Sequence, residues 1–302
     1  MLHLAVHELL LLLLPPLLLG VIGKTKAAFA GRTGPPLLQP YYDLVRLFQK
    51  GSVFSSTTTW VFRAGPAVGL AAALLAGQLV PLGRHAAPVS FPGDVILFVY
   101  LFALARFTIT AAALDTGSAF EGMGAAREAS FGSLAEPALL FGLLALARLA
   151  GAFSLGAMLH DPWGAGRLAR GPSLVLIAAS WSLVFLAENC RLPFDDPNTH
   201  LELTMIHEVM VLDHSGPAFG VILYSAAMKL FVLGALLLHV LSPLGGSEPW
   251  VDWAVFVAGM LLLAVAIGVV ESVMARLRLA RVPQALVTAS VLSAFGMLLL
   301  VR

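Results

Sequence analysis

The sequence predicts an all-α polytopic membrane protein: a bundle of about eight transmembrane helices, with amphipathic and loop elements gathered on the cytoplasmic side. Three observations carry that prediction. Of 302 residues, 59% are hydrophobic and only 12% charged, whereas a soluble domain carries about 25% charged residues. Mean hydropathy is +0.91. Apolar runs recur near 3–22, 64–82, 94–114, 134–158, 171–187, 218–240, 252–271 and 284–301, each close to the roughly 20 residues that cross a hydrocarbon core. Spans of this length with short connections fill 1–302 as a single integral membrane domain.

The first run could be taken for a leader, but it lacks a basic n-region, and Lys24 and Lys26 follow it. It reads as a retained span. Basic residues set orientation, because Lys and Arg are held on the cytoplasmic side. Eleven of the 18 Lys and Arg residues fall in loops after spans one, three, five and seven: Lys24, Lys26, Arg32, Arg46, Lys50, Arg63, Arg127, Arg191, Arg276, Arg278 and Arg281. Arg84, Arg167, Arg170 and Arg302 lie on the other side, so both termini are expected outside a bacterial or archaeal cytoplasmic (inner) membrane. A net charge of +1 leaves no clustered basic face for nucleic acid. The single cysteine, Cys190, excludes an internal disulfide and any cluster held by several thiolates. No metal, cofactor or catalytic residue is therefore expected in this chain.

Three loops concentrate the polar chemistry. In the first, Gly31 to Pro36 sets a turn, and Tyr42, Arg46 and Lys50 then recur at helical spacing opposite Leu44, Leu47 and Phe48. That pattern predicts an interfacial amphipathic helix against the lipid bilayer; Arg32 and Asp43 are its candidates for facing a partner or an internal cavity. The second loop, 115–128, holds Asp115, Glu121, Arg127 and Glu128 among three glycines. A solvated pair with Arg127 would equally account for Glu128.

The third loop runs from Glu188 through Arg191, Asp195, Asp196, His200, Glu202, His207 and Glu208. Thr199 and Glu202 form a capping-box spacing, which predicts a helix from about residue 200 with His200, Thr204, His207 and Glu208 near one face. His207-Glu208 lacks the second histidine of a zinc-protease helix, since position 211 is Val. Neighbouring carboxylates and a histidine can instead relay protons near neutral pH. Arg106, Arg148 and Lys229 fall inside apolar runs, where an ionised group costs about 2.5–3.5 kcal/mol and is expected to face a polar interior. Glu271 is expected at a helix end, reaching for the interface.

The segments Gly31-Arg32-Thr33-Gly34-Pro35 with Leu38 to Asp43, Ala113 to Gly124, and Arg191 to Pro197 with Thr199 to Glu208 together resemble the respiratory complex I subunit 1 family. More narrowly, they resemble the membrane-anchor subunit of group 4 energy-converting nickel–iron hydrogenases, of the formate hydrogenlyase or hydrogenase-4 type. The resemblance spans essentially the whole chain.

It implies a non-catalytic subunit coupling a peripheral redox arm to proton- or sodium-translocating membrane subunits. Its partners would be hydrogenase large and small subunits, iron–sulfur proteins and antiporter-like membrane subunits. The nickel–iron (NiFe) centre and iron–sulfur clusters would reside in those partners. The resemblance places Asp115, Glu121, Glu128, Glu188, Asp195, Asp196, Glu202 and Glu208 on the proton-path loops, and His207 joins them through its own titration. Tyr41-Tyr42-Asp43 and Thr204 to Glu208 followed by Ser215-Gly216-Pro217 are of the hydrogenase form rather than the quinone-reductase form. A quinone-site subunit of a complex I-like oxidoreductase is the alternative. A self-contained transporter is disfavoured by the one-sided polar residues and the absence of repeated half-helices.

Overall fold

The computed structural model describes residues 2–160, 162–163, 167–195, 205–241 and 248–301. Ten α-helices are present among them: α1 (Leu2–Phe29), α2 (Gln39–Phe48), α3 (Trp60–Leu79), α4 (Asp94–Asp115), α5 (Ala119–Ala150), α6 (Leu155–His160), α7 (Arg167–Glu188), α8 (Gly216–Leu241), α9 (Pro249–Val273) and α10 (Val282–Val301). All except the short α2 and α6 are long and apolar enough to cross a membrane, giving eight spans. No strand occurs among the described residues.

The central element is α8. Fourteen consecutive residues, Ala227 to Val240, are buried apart from Lys229, as expected of a helix that is apolar on all sides and sits inside its neighbours. Helix α3 packs on α4 and α8, α1 on α8 and α9, and α10 on α5 and α7. Phe98, Leu146, Leu155, Phe231 and Phe256 fill the core without exposure above 0%. Leu104, Phe107, Leu262, Phe295 and Leu298 point outward, the apolar exterior that lipid requires of a bundle whose backbone groups are satisfied internally.

Helix α1 continues through Pro15 and Pro16. Neither proline supplies an N–H, so the carbonyls of Leu11 and Leu12 lose their ordinary helical donors. Tyr224 on α8 donates its hydroxyl to the Leu12 carbonyl at 2.7 Å, and Tyr41 on α2 donates to the carbonyl of Leu13. Replacement Tyr224→Phe keeps the ring and strands the Leu12 carbonyl; a loss of about 1 kcal/mol is expected, read as a lower melting temperature in detergent with unchanged helix content.

Two boundaries depart from the sequence reading. The stretch 119–128 is helix rather than loop, because α5 begins at Ala119 and its glycines serve packing: a Cβ at Gly124 would lie 2.4 Å from Val209 Cγ1. At its other end α5 stops at Ala150 on a left-handed Gly151, and a separate α6 follows instead of one span to 158. Arg148 consequently occupies the last turn of α5, exposed, where a cation complements the helix C-terminus. It does not face the bundle interior.

A charge-lined cavity as the candidate functional site

Helix α5 presents Glu128, Gly132 and Glu136 at four-residue spacing, hence on one face. The guanidinium of Arg106, from α4, lies over the glycine: a Cβ at Gly132 would sit 2.6 Å from Arg106 Cζ. Its three nitrogens divide among three acids. Nη1 is 2.6 Å from Glu136, Nη2 is 2.5 Å from Glu188 at the end of α7, and Nε is 3.7 Å from Glu128. The second carboxylate oxygen of Glu188 holds Lys229 of α8 at 2.7 Å. Four helices therefore meet at Glu188 and Arg106, with three carboxylates facing two cations.

A second centre surrounds Glu271 on α9, whose side chain has 0% exposure. It pairs with Lys26 of α1 at 2.8 Å and with Arg191 of the α7–α8 connection at 3.4 Å. The expectation that Glu271 reaches out to the interface is corrected: two cations brought by other elements offset its burial. A third centre is Asp195, 1% exposed. One of its oxygens lies 2.7 Å from Arg276, and the other accepts from the backbone N–H groups of Ile206 and His207 at 3.1 and 3.3 Å.

These centres border a cavity of about 490 Å³. Its lining is apolar at Leu19, Ile22, Leu44, Ala73, Phe102 and Ile109 and polar at Glu128, Glu188, Arg191, Asp195, His207 and Glu208. Asp43, which accepts from Gln39 at 2.8 Å, places one face of the exposed helix α2 at the cavity edge. The predicted amphipathic helix is thus present, with no buried residue, and it closes the site.

The structure brings together Arg106, Glu128, Glu188, Arg191, Asp195, His207, Glu208, Lys229 and Asp43. It separates others. Asp115 accepts from the Thr59 and Phe62 N–H groups at 2.6 and 3.3 Å, and so caps the first turn of α3. Glu121 is buried and accepts from the Asp213 N–H at 2.9 Å, holding the segment before α8. Arg32 is exposed on the turn after α1.

Asp196, His200 and Glu202, with the Thr199 capping box, lie outside the described residues. The predicted helix through His207 is not found in the part described: 205–207 is irregular, and only a single 3₁₀ turn, Glu208–Val211, follows. Asp195 supplies the reason, since it takes N–H groups of this segment into a turn before α8 starts.

Glu136, Lys26 and Arg276 were not among the sequence candidates. Glu136 carried a signal: a carboxylate inside an apolar run, at i+8 from Glu128 with glycine midway. Lys26 and Arg276 had none, because their partners come from distant parts of the chain.

Two titratable groups in the α7–α8 connection, Cys190 at the cavity and His214 away from its lining, are held off their ordinary values. Burial pushes the Cys190 thiol well up, and the nearby carboxylates Glu128 and Asp195 add to the rise. Burial also lowers the imidazole of His214, which stacks on Phe62 with ring centroids 3.9 Å apart. A histidine buried neutral contributes stability that is complete above its unfolded value of about 6.5 and is lost as pH falls through the depressed folded value. His214→Phe is expected to remove part of the acid sensitivity, flattening melting temperature against pH between about 7 and 5.

A bundle of eight apolar helices around an ion-paired, charge-lined cavity defines a multi-pass integral membrane protein. The chain belongs to the NADH dehydrogenase family, whose model matches residues 2–302. It is 34% identical over 295 residues to formate hydrogenlyase subunit 4 of Escherichia coli (strain K12), covering 92% of each chain. It is 30% identical over 242 residues to hydrogenase-4 component C of the same organism, covering 80% of this chain and 75% of the relative. A chain from the membrane-bound sulfane sulfur reductase, an archaeal respiratory membrane complex, superposes with a TM-score of 0.81 at 21% identity, over 97% of this chain and 96% of the other. At that identity the likeness supports the fold.

Proposed function

We propose that this chain is the membrane-anchor and coupling subunit of a group 4 nickel–iron hydrogenase complex of the formate hydrogenlyase or hydrogenase-4 type. It lies in a bacterial or archaeal cytoplasmic membrane with both termini outside, and it joins hydrogenase and iron–sulfur subunits to antiporter-like membrane subunits. The NiFe centre and the iron–sulfur clusters belong to those partners. The observation that carries the reading is the junction at Glu188, where Arg106 and Lys229 converge on one carboxylate beside the Arg191–Asp195 turn. Likeness to formate hydrogenlyase subunit 4 across nearly the full length of both chains supports the hydrogenase assignment.

In this reading the moving parts are the two described ends of the α7–α8 connection, at Arg191–Asp195 and Ile206–His207. Asp195 grips its far side and Arg191 ties it to Glu271, so a redox event in the peripheral arm that displaces the connection alters the field at Glu188. A carboxylate between two cations changes its proton affinity steeply when either withdraws, and a state in which one of the two pairs is broken is the second state that coupling needs.

The test replaces Glu188→Gln and, separately, Glu208→Gln in the assembled complex. Hydrogen turnover is expected to persist while proton or sodium translocation falls by roughly tenfold in Glu188→Gln, about what a 1.4 kcal/mol change at a single step produces. Unchanged translocation and turnover in both variants sinks the coupling role. The apolar part of the cavity lining favours one alternative, a quinone-site subunit of a complex I-like oxidoreductase; reduction of a quinone analogue by a nickel-free native complex would establish it instead.

A further inference from the structure

Three potential metal ligands from three separate elements converge on the polar part of the cavity lining. Glu128 comes from α5, Cys190 from the turn capping α7, and His207 from the segment gripped by Asp195. Their ligand atoms all lie within 4.8 Å of one another. Each is half-buried, and all three line the cavity. Chain order conceals the set, because no two of the three lie at a familiar ligand spacing.

We propose that Glu128, Cys190 and His207 form a binding site for a divalent transition-metal ion of the zinc class, with its fourth position open to the cavity. Thiolate, imidazole and carboxylate are the donors that borderline-soft ions take, and three protein ligands with one open position is the arrangement of sites that bind an exchangeable fourth ligand. Tetrahedral coordination at ordinary bond lengths puts ligand atoms about 3.3–3.6 Å apart, so side-chain rotations of roughly 1 Å close the set.

The surroundings favour a cation. Six carboxylates line the cavity against the four cationic side chains of Lys26, Arg106, Arg191 and Lys229. Among the described residues Glu128 has one ion pair, the long 3.7 Å contact with Arg106, whose shorter pairs go to Glu136 and Glu188. On binding, the thiol forms its bond to the metal and releases its proton to water, driven by the charge of the ion. No electron is exchanged. The ion would pin the α7–α8 connection to α5 beside the Glu188 junction, and so set how freely that connection moves.

The test uses the full-length reduced chain in detergent, stripped with a chelator and titrated anaerobically with Co²⁺ as the probe. One equivalent is expected to bind with a thiolate-to-cobalt charge-transfer band. Cys190→Ser should abolish the band, and His207→Asn and Glu128→Gln should each weaken binding by roughly tenfold or more. A missing band, or one that persists in Cys190→Ser, overturns the site; so does cobalt binding unchanged in all three variants, which marks adventitious binding elsewhere, for example at the stacked pair His3 and His85. A second measurement does not depend on the variants folding. X-ray absorption of the Zn²⁺-loaded wild-type chain should contain one sulfur at about 2.3 Å with nitrogen and oxygen at about 2.0 Å, and a shell without sulfur refutes the assignment.

Discussion

Arg106→Gln is expected to destabilise the protein by about 3–5 kcal/mol, the cost of removing one partner from a buried ion cluster. Glu128, Glu136 and Glu188 then face one another with Lys229 as the remaining cation among them. Glutamine is shorter than arginine, so the effect combines the lost charge with the lost packing of the guanidinium on Gly132. The measurement is the fraction of monodisperse protein in detergent and its melting temperature. A second variant, Arg106→Gln with Glu136→Gln, removes one acid along with the cation and should recover part of the loss. Additive losses in the double variant would show that the two side chains do not interact in the way their 2.6 Å separation implies.

Gly132→Leu is expected to be comparably severe for a different reason. The missing side chain is what lets the guanidinium lie flat on α5: a Cβ there would meet Cζ, Nη1 and Nε of Arg106 at 2.6–2.7 Å. Flexible side chains usually yield to such intrusions, but this one is held by three carboxylates. Overpacking alone costs about 1–3 kcal/mol, and expelling the guanidinium adds the loss of its pairs. Because both substitutions remove the same contacts, Gly132→Leu introduced into Arg106→Gln should cost clearly less than in the wild type. Melting temperatures of the four proteins in the cycle decide it.

The eight spans and their approximate positions were legible because a soluble core seldom sustains an uncharged apolar run of membrane length. Arg106 and Lys229 were legible for the same reason, since a charge inside such a run needs a polar interior. Arg148 misled because the end of its helix was placed eight residues too late, a boundary that Gly151 sets by its left-handed conformation. Gly122 and Gly124 were placed in a loop, yet they lie in the first turns of α5, where Gly124 packs closely on Val209. The α7–α8 connection was the least legible. A helix pattern after residue 200 competes there with a single buried carboxylate, Asp195, that captures two N–H groups, and one tertiary contact of this kind leaves no periodic trace. Asp115 was half legible on equally local grounds: its acidity was visible, but the Thr59 and Phe62 N–H groups that it satisfies were not.

The proline pair in α1 carries a mechanical consequence. Lys26 lies ten residues beyond Pro16, which at 1.5 Å per residue is a lever of about 15 Å. Pivoting that arm by about 10° about the prolines sweeps its tip by roughly 2.6 Å, as far as the Lys26–Glu271 pair is long at 2.8 Å. The hydroxyls of Tyr224 and Tyr41 sit at the fulcrum, one from the central helix and one from the surface helix. The small helix α2 and the buried Lys26–Glu271 pair are thus joined through one helix, its contact with α2 lying beside the two prolines and its charge some 15 Å further on.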